Sequence, residues 1–363
     1  MPSSVGPNTF GEENLVFGYD LGDVANSYKG QPTVNHIADL GDPTEERARG
    51  EFGQYFNLVP IFETYGLVPY TLSMEIKGNI PGYCRVYMQN GSYTKYAFIS
   101  TVVDITTEWQ RFVFSNLTPS GPTAAWQANT PGDNRAMLAT YTIYGTGRNP
   151  TIRNVQLERS AHVTPFTAGT RSATQGLIDL KGTSTIDLTN VSFDSNAQMT
   201  FDGTDDQFTI ADPNVGTTFS IEIIVKVDNY SNGPILISPN SVGIDHFFRI
   251  GNNGRITAQF VEIADSSADS YTSTTVLSTS NYYHVVISKS PSNGTIYVNG
   301  VAEDSHTPTL PAAAWTGTWK IGARQNNTFW FNGELPLMKV YNRALTAQEV
   351  QSNFNAIKSR FGI

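Results

Sequence analysis

Along FSIEIIVKV (219–227), Phe219, Ile221, Ile223, Val225 and Val227 occupy alternate positions, the period of a strand with one buried face, and Ser220, Glu222 and Lys226 take the other. In HFFRIGNNGRITAQF (246–260) and YYHVVISKSPSNGTIYVNGVAED (282–304), Asn253-Gly254, Asn293-Gly294 and Asn299-Gly300 stand between apolar runs as hairpin turns. Together they predict an antiparallel sheet system. An earlier stretch repeats the alternation: Tyr70, Leu72, Met74 and Ile76 in YTLSMEIKG, then Cys84, Val86 and Met88 in YCRVYMQN. EWQRFVFSNL (108–117), RAMLATYTIYGTG (135–147) and TIRNVQLERS (151–160) complete a second set of strands.

The period changes only near the end. After the strand in FNGELPLMKVYNRAL (331–345), Thr346-Ala347-Gln348-Glu349 forms a capping box, with Leu345 and Val350 spaced as a hydrophobic staple. Val350, Phe354, Ile357 and Phe361 then share one helical face, which predicts a short amphipathic helix over 346–360 lying against a sheet. At the other end, NLVFGYDLGDVANSYKG (14–30) reads as a strand running into turn residues, and the polar NHIADLGDPTEERARGEFG after it offers no partner.

Composition agrees with an all-β chain: 15% charged residues, 31 Gly, 17 Tyr and 20 Phe. The 363 residues suffice for two domains. A formal net charge of −9 and a pI near 5.0 exclude a nucleic-acid surface. The single Cys84 excludes intrachain disulfides and multi-cysteine metal sites, and its place on a strand predicts a core thiol. The N-terminus MPSSVGPNTFGEEN has neither a basic nor an apolar targeting region, and no long apolar run occurs, so a chain made in the cytosol and not inserted in a membrane is expected.

FDGTDDQFTI (201–210), FSIEIIVKV, YYHVVISK, GTIYVNGV, GELPLMKVYNRAL and TAQEVQSNFNAIKSRFG together resemble the laminin-G-like, concanavalin A-like jelly-roll family across roughly 175–363. Residues 14–30 are similar to the opening segment of bacterial and phage members, and GLIDLKGTSTIDLTNVSFDSNAQMTFDGTDDQ (176–207) to its continuation. The resemblance therefore implies a jelly roll whose first strands lie at 10–35 and whose remainder, 173–363, follows an inserted domain at 36–172; loop insertions of this kind carry little closure penalty. The insert, ending in RNVQLE…TPFTAGTRS, resembles carbohydrate-binding-module-like, galactose-binding-like β-sandwiches found in phage structural proteins.

Related jelly-roll glycosidases carry two or three carboxylates on one strand, so that acid and nucleophile flank the scissile bond. Here SIEIIVKVD (220–228) offers Glu222 and Asp228, with Ile224 and Val225 where partners would stand, which argues against hydrolysis. His36, His162, His246, His284 and His306 are scattered, and no nucleophile elbow or P-loop is present; His284 reads as a strand residue among aromatics. Asp202, Asp205 and Asp206 are candidate calcium ligands, as loop carboxylates are in relatives, although turn chemistry accounts for the same residues and is the favoured reading. For sugar stacking the candidates are Trp126, in a loop-like stretch, and Tyr83, Arg85 and Tyr87, on the face opposite Cys84. Trp109, Trp319 and Phe329 read as core.

The resemblance implies a non-enzymatic bacteriophage virion protein, a tail fibre or head or tail appendage. Its expected partners are other virion proteins and host-surface glycans, with a homo-oligomer compatible. A structural decoration protein without sugar binding and a bacterial surface glycan-binding protein are the alternatives.

Overall fold

A computed structural model describes residues 14–48, 54–66, 68–89, 99–118, 137–142, 150–194, 196–241, 246–261, 268–308 and 313–363. The chain divides into two compact units: residues 1–31 with 172–363, and residues 32–171.

The larger unit is a sandwich of two antiparallel sheets. The first has eight strands: Ser192–Phe193, Met199–Asp202, Asn332–Tyr341, Phe219–Asn229, Tyr283–Lys289, Gly294–Val298 and Val301–His306 in spatial order, with Leu15–Asp20 added along Asn332–Tyr341. That last pairing aligns Phe17 with Val340 and Tyr19 with Met338. The second sheet has seven: Ile186–Thr189, Gln207–Ile210, Trp319–Ile321, Ile235–Pro239, Phe247–Ile250, Arg255–Val261 and Ala268–Val276. Between them lie Phe17, Tyr19, Phe219, Ile221, Ile223, Val225, Val227, Phe208, Trp315 and Trp319, all buried. The alternation in 219–227 thus faces one continuous core, as its period requires.

The C-terminal helix, Ala347–Phe361, covers the outer face of the eight-stranded sheet. Both bonds of the capping box form: Glu349 N–H donates to Thr346 Oγ1 at 3.3 Å, and Thr346 N–H to Glu349 Oε2 at 2.8 Å. Leu345 and Val350 pack in one cluster with Leu15, Val286, Tyr297 and Tyr341, and Ile357 packs with Ile224 and Leu337. In the last turn Arg360 makes a two-pronged ion pair with Asp20. A Cβ on Gly22 would stand 1.6 Å from that guanidinium, so a side chain there would push Arg360 out of its present place.

The smaller unit is also a β-sandwich. One sheet runs Arg47–Ala48, Thr151–Glu158, Tyr70–Lys77, Gln110–Leu117, and the other Gln54–Asn57, Met137–Thr142, Gly82–Gln89, Ile99–Ile105. Tyr70, Leu72, Met74 and Ile76 meet Cys84, Val86 and Met88 in its core. Burial pushes the Cys84 thiol up to about 12, which leaves it an inert packing group. The segment after Thr151–Glu158 is held by buried side chains: Thr164 bonds Glu158 through N–H and Oγ1, and Thr167 N–H donates to Gln156 Oε1 at 2.8 Å. Thr33–Val34 and Thr170–Arg171, the two ends of this unit, pair antiparallel.

Several expectations change. A helix over Val59–Tyr65, opened by Pro60 and closed by Gly66 at φ +81°, buries Ile61 and Phe62 and has too few residues to display a period. Asn299-Gly300 supplies positive φ at both positions, 50° and 80°, but Gly294 does not. Its Cβ would lie 2.3 Å from the Tyr271 ring, so close packing and not turn geometry demands glycine there. Trp319 is buried, whereas Phe329 is 42% exposed and Trp109 is half-buried, flanked by Lys77 Nζ and the Arg153 guanidinium at 4.3 and 4.1 Å from its ring centre. Those two cations satisfy the indole face that a core would otherwise cover.

Candidate functional site

The strand that would carry glycosidase carboxylates, Phe219–Asn229, presents Glu222 to the underside of the C-terminal helix. Glu222 is fully buried. His284 Nε2 lies 2.8 Å from its Oε1, while Tyr341 Oη and Asn353 Nδ2 donate to its Oε2 at 2.7 and 3.0 Å. Burial alone would raise its pKa, but His284, Lys339 and the Tyr341 hydroxyl outweigh that and hold the carboxyl below its ordinary range. The His284 ring stacks on Phe354 with centres 5.7 Å apart. This is a buried polar network joining sheet to helix, with both Glu222 oxygens engaged. Asp228 is exposed and pairs with Lys226 at 3.8 Å.

The outer face of the seven-stranded sheet differs. Strand alternation sends Phe248, Ile250, Ile256, Ala258 and Tyr271 inward and leaves Arg249, Thr257 and Thr272 outward, in register as one cross-strand row. All three are half-buried, and the Thr257 and Thr272 hydroxyls are 3.1 Å apart. A neighbouring row holds Phe247, Gln259 and Ser270, with the Arg249 guanidinium 4.9 Å from the Phe247 ring centre. Farther across, Thr209, Lys320 and Ser238 align. Lys320 is buried because the loop between Trp319–Ile321 and Asn332–Tyr341 crosses it: Nζ donates to Gln325 O at 3.1 Å and to Asn327 Oδ1. Burial lowers its pKa. Hydroxyls, an amide and a guanidinium on a rigid sheet form a hydrogen-bonding surface suited to a polyhydroxylated ligand. The sequence reading did not select these residues; the signal available was the outward half of the alternation in 255–261.

Asp202, Asp205 and Asp206 are brought together, their carboxylate oxygens all within 4.8 Å of one another. Asp202 and Asp205 are exposed and Asp206 is buried. Asp206 Oδ2 accepts from Asp202 N–H at 2.8 Å, and Asp202 Oδ1 from Thr204 N–H at 2.7 Å. Burial first, then the two neighbouring carboxylates, raise the Asp206 pKa above its ordinary value. Donor type and charge suit a hard cation, while two of the oxygens already serve the turn.

In the smaller unit, Tyr83 and Arg85 are exposed on the outer face of Gly82–Gln89, beside exposed Val102 and Asp104 of the adjacent strand. Tyr83 is 54% exposed. The Tyr87 side chain and Trp126 lie outside the described residues.

Residues 202–351 match the family model of the concanavalin A-like lectin/glucanases superfamily. The matched segment holds most strands of both sheets of the larger unit, and the chain is all-β, with a concanavalin A-like jelly roll, a second sandwich and a C-terminal helix. Solved structures similar to the chain include the botulinum neurotoxin serotype G binding domain (19% identity, TM-score 0.43, 50% of this chain and 49% of that one). The botulinum neurotoxin serotype D ligand binding domain in complex with N-acetylneuraminic acid is similar at 15% identity and TM-score 0.43, over 51% and 49%. The binding domain of Paraclostridial Mosquitocidal Protein 1 is similar at 13% and 0.43, over 50% and 49%. The chain thus spans about half the length of these structures. No curated protein gives a significant match. Among the described residues no helix is long and apolar enough to cross a membrane.

Proposed function

We propose that the protein is a non-enzymatic, glycan-binding appendage of a bacteriophage virion. One observation carries the binding reading: Glu222 is sealed beneath a helix with both oxygens engaged, while the opposite sheet leaves a row of hydrogen-bonding side chains half-exposed. Binding without bond cleavage needs such a surface and no paired carboxylates. The match of residues 202–351 to a lectin and glucanase family supports the ligand class. The virion assignment rests on the similarity of residues 14–30 and 176–207 to segments of bacterial and phage jelly rolls. Asp202, Asp205 and Asp206 are read as turn residues, with calcium there as the alternative that binding with and without calcium separates.

The test is a glycan array probed with the full chain, with and without calcium. Two double variants accompany it, Thr257→Ala with Thr272→Ala and Tyr83→Ala with Arg85→Ala. Saccharide binding that one pair abolishes identifies the surface used. A blank array, with antibody to the chain still labelling purified phage particles, selects the decoration reading instead.

A further inference from the structure

Phe329 is out of place for an aromatic residue in two respects. It is 42% exposed, and its backbone is left-handed at φ +55°. Among the described residues only Ala197 and Phe329 adopt positive φ without being Gly or Asn. For a bulky side chain this conformation is strained by roughly 1–2 kcal/mol. A loop under no constraint would relax, or would carry Gly or Asn there, as Asn327 (φ 59°) does two positions earlier.

The surrounding bonds fix the conformation. Phe329 O accepts from Ile235 N–H at 2.8 Å, Thr328 O from Arg324 N–H at 2.9 Å, and Gly322 O from Phe331 N–H at 2.7 Å. Gln325 Nε2 reaches Ser238 O and Thr318 O, and Lys320 holds the loop from below. Ile235 is the ladder partner of Arg249, so the bond to Phe329 O sets this residue across the strand Ile235–Pro239 from the row Arg249, Thr257, Thr272. Asn326, Asn327 and Thr328 are exposed on the same loop, and the Arg324 guanidinium lies 5.8 Å from the Phe329 ring centre.

We infer that Phe329 is the stacking platform of a saccharide subsite at the start of the central strand Ile235–Pro239 of the seven-stranded sheet, taking a pyranose ring that presents a contiguous face of C–H bonds. The inference rests on the glycan-binding reading and sharpens it. An aromatic ring held open to solvent at a conformational cost supplies the apolar face that sugars stack on, and the exposed Asn326, Asn327 and Thr328 of the same loop, with the polar row one strand away, supply hydrogen bonds to their hydroxyls.

Phe329→Gly removes the ring and the strain together, and Phe329→Trp keeps a ring. On a panel of immobilised β-galactosides and β-glucosides, the expected result is binding weakened about tenfold in Phe329→Gly, equivalent to about 1.4 kcal/mol. Its denaturation midpoint should stand at or above the wild-type value, and Phe329→Trp should retain binding. A residue that merely anchors the loop would lose stability on truncation and leave affinity alone. If the wild-type chain binds and folded Phe329→Gly binds within twofold of it, the subsite is overturned and the glycan-binding reading stands. If the wild-type chain binds no member of the panel, the subsite for these sugars is overturned, and the glycan-binding reading falls only if the full glycan array is blank as well.

Discussion

The two outer faces of the larger sandwich are written in the same alternating pattern and have opposite fates. On the eight-stranded sheet the outward positions Glu222, Ile224, Leu337 and Tyr341 are covered by a helix and fully buried. On the seven-stranded sheet Arg249, Thr257 and Thr272 stay half-exposed. A polar residue at an outward strand position therefore means nothing by itself. What decides its role is the element laid over it, and for Glu222 that element lies more than a hundred residues along the chain, with Asn353 as the contact.

Removing residues 1–31 is the strongest test of the covered side. Phe17, Tyr19 and Leu21 are completely buried, and each contributes about 1.5–3 kcal/mol. Their sum is comparable with the whole stability of a typical domain, about 5–15 kcal/mol. The truncated chain should lose the cooperative unfolding of the larger unit in denaturant; a stable 172–363 fragment would show that Leu15–Asp20 is dispensable.

A matched pair of substitutions sharpens the contrast. Glu222→Ala leaves His284, Tyr341 and Asn353 buried around a lost charge and should cost about 3–5 kcal/mol. Thr257→Ala, on the open sheet, should stay within about 0.5 kcal/mol. Equal losses in chemical denaturation would erase the distinction between the faces.

A smaller effect than that of Glu222→Ala concerns pH. Arg343, bonded through both terminal nitrogens at 2.8 and 2.7 Å, holds Glu349 down to about 2 from an ordinary 4.5. Its folded pKa is depressed, so its contribution is complete above about 4.5 and is lost as pH falls towards about 2. Glu349→Gln should cost about 1 kcal/mol at neutral pH and flatten that part of the acid stability profile.

Much of the fold was legible because burial on one side imposes a period. Phe219 to Val227 and Tyr70 to Ile76 are one-sided strands, and Thr346 to Glu349 marks a helix start through local chemistry. Single residues carry no phase, so residue type alone places Trp109 and Phe329 in the core, whereas the structure leaves Trp109 half-buried and Phe329 exposed. The Asp202, Asp205 and Asp206 cluster was visible because its members are neighbours in sequence. The Arg249, Thr257, Thr272 row was not, because strand register brings it together.

Thr33 and Arg171 are ladder partners, so the chain begins and ends the smaller sandwich at adjacent points. Antiparallel partners stand about 5 Å apart at their Cα atoms, a gap that a tight turn spans. A segment whose ends are adjacent can be removed or exchanged with little closure penalty for the strands that flank it. Selection can then change one sandwich without renegotiating the core of the other.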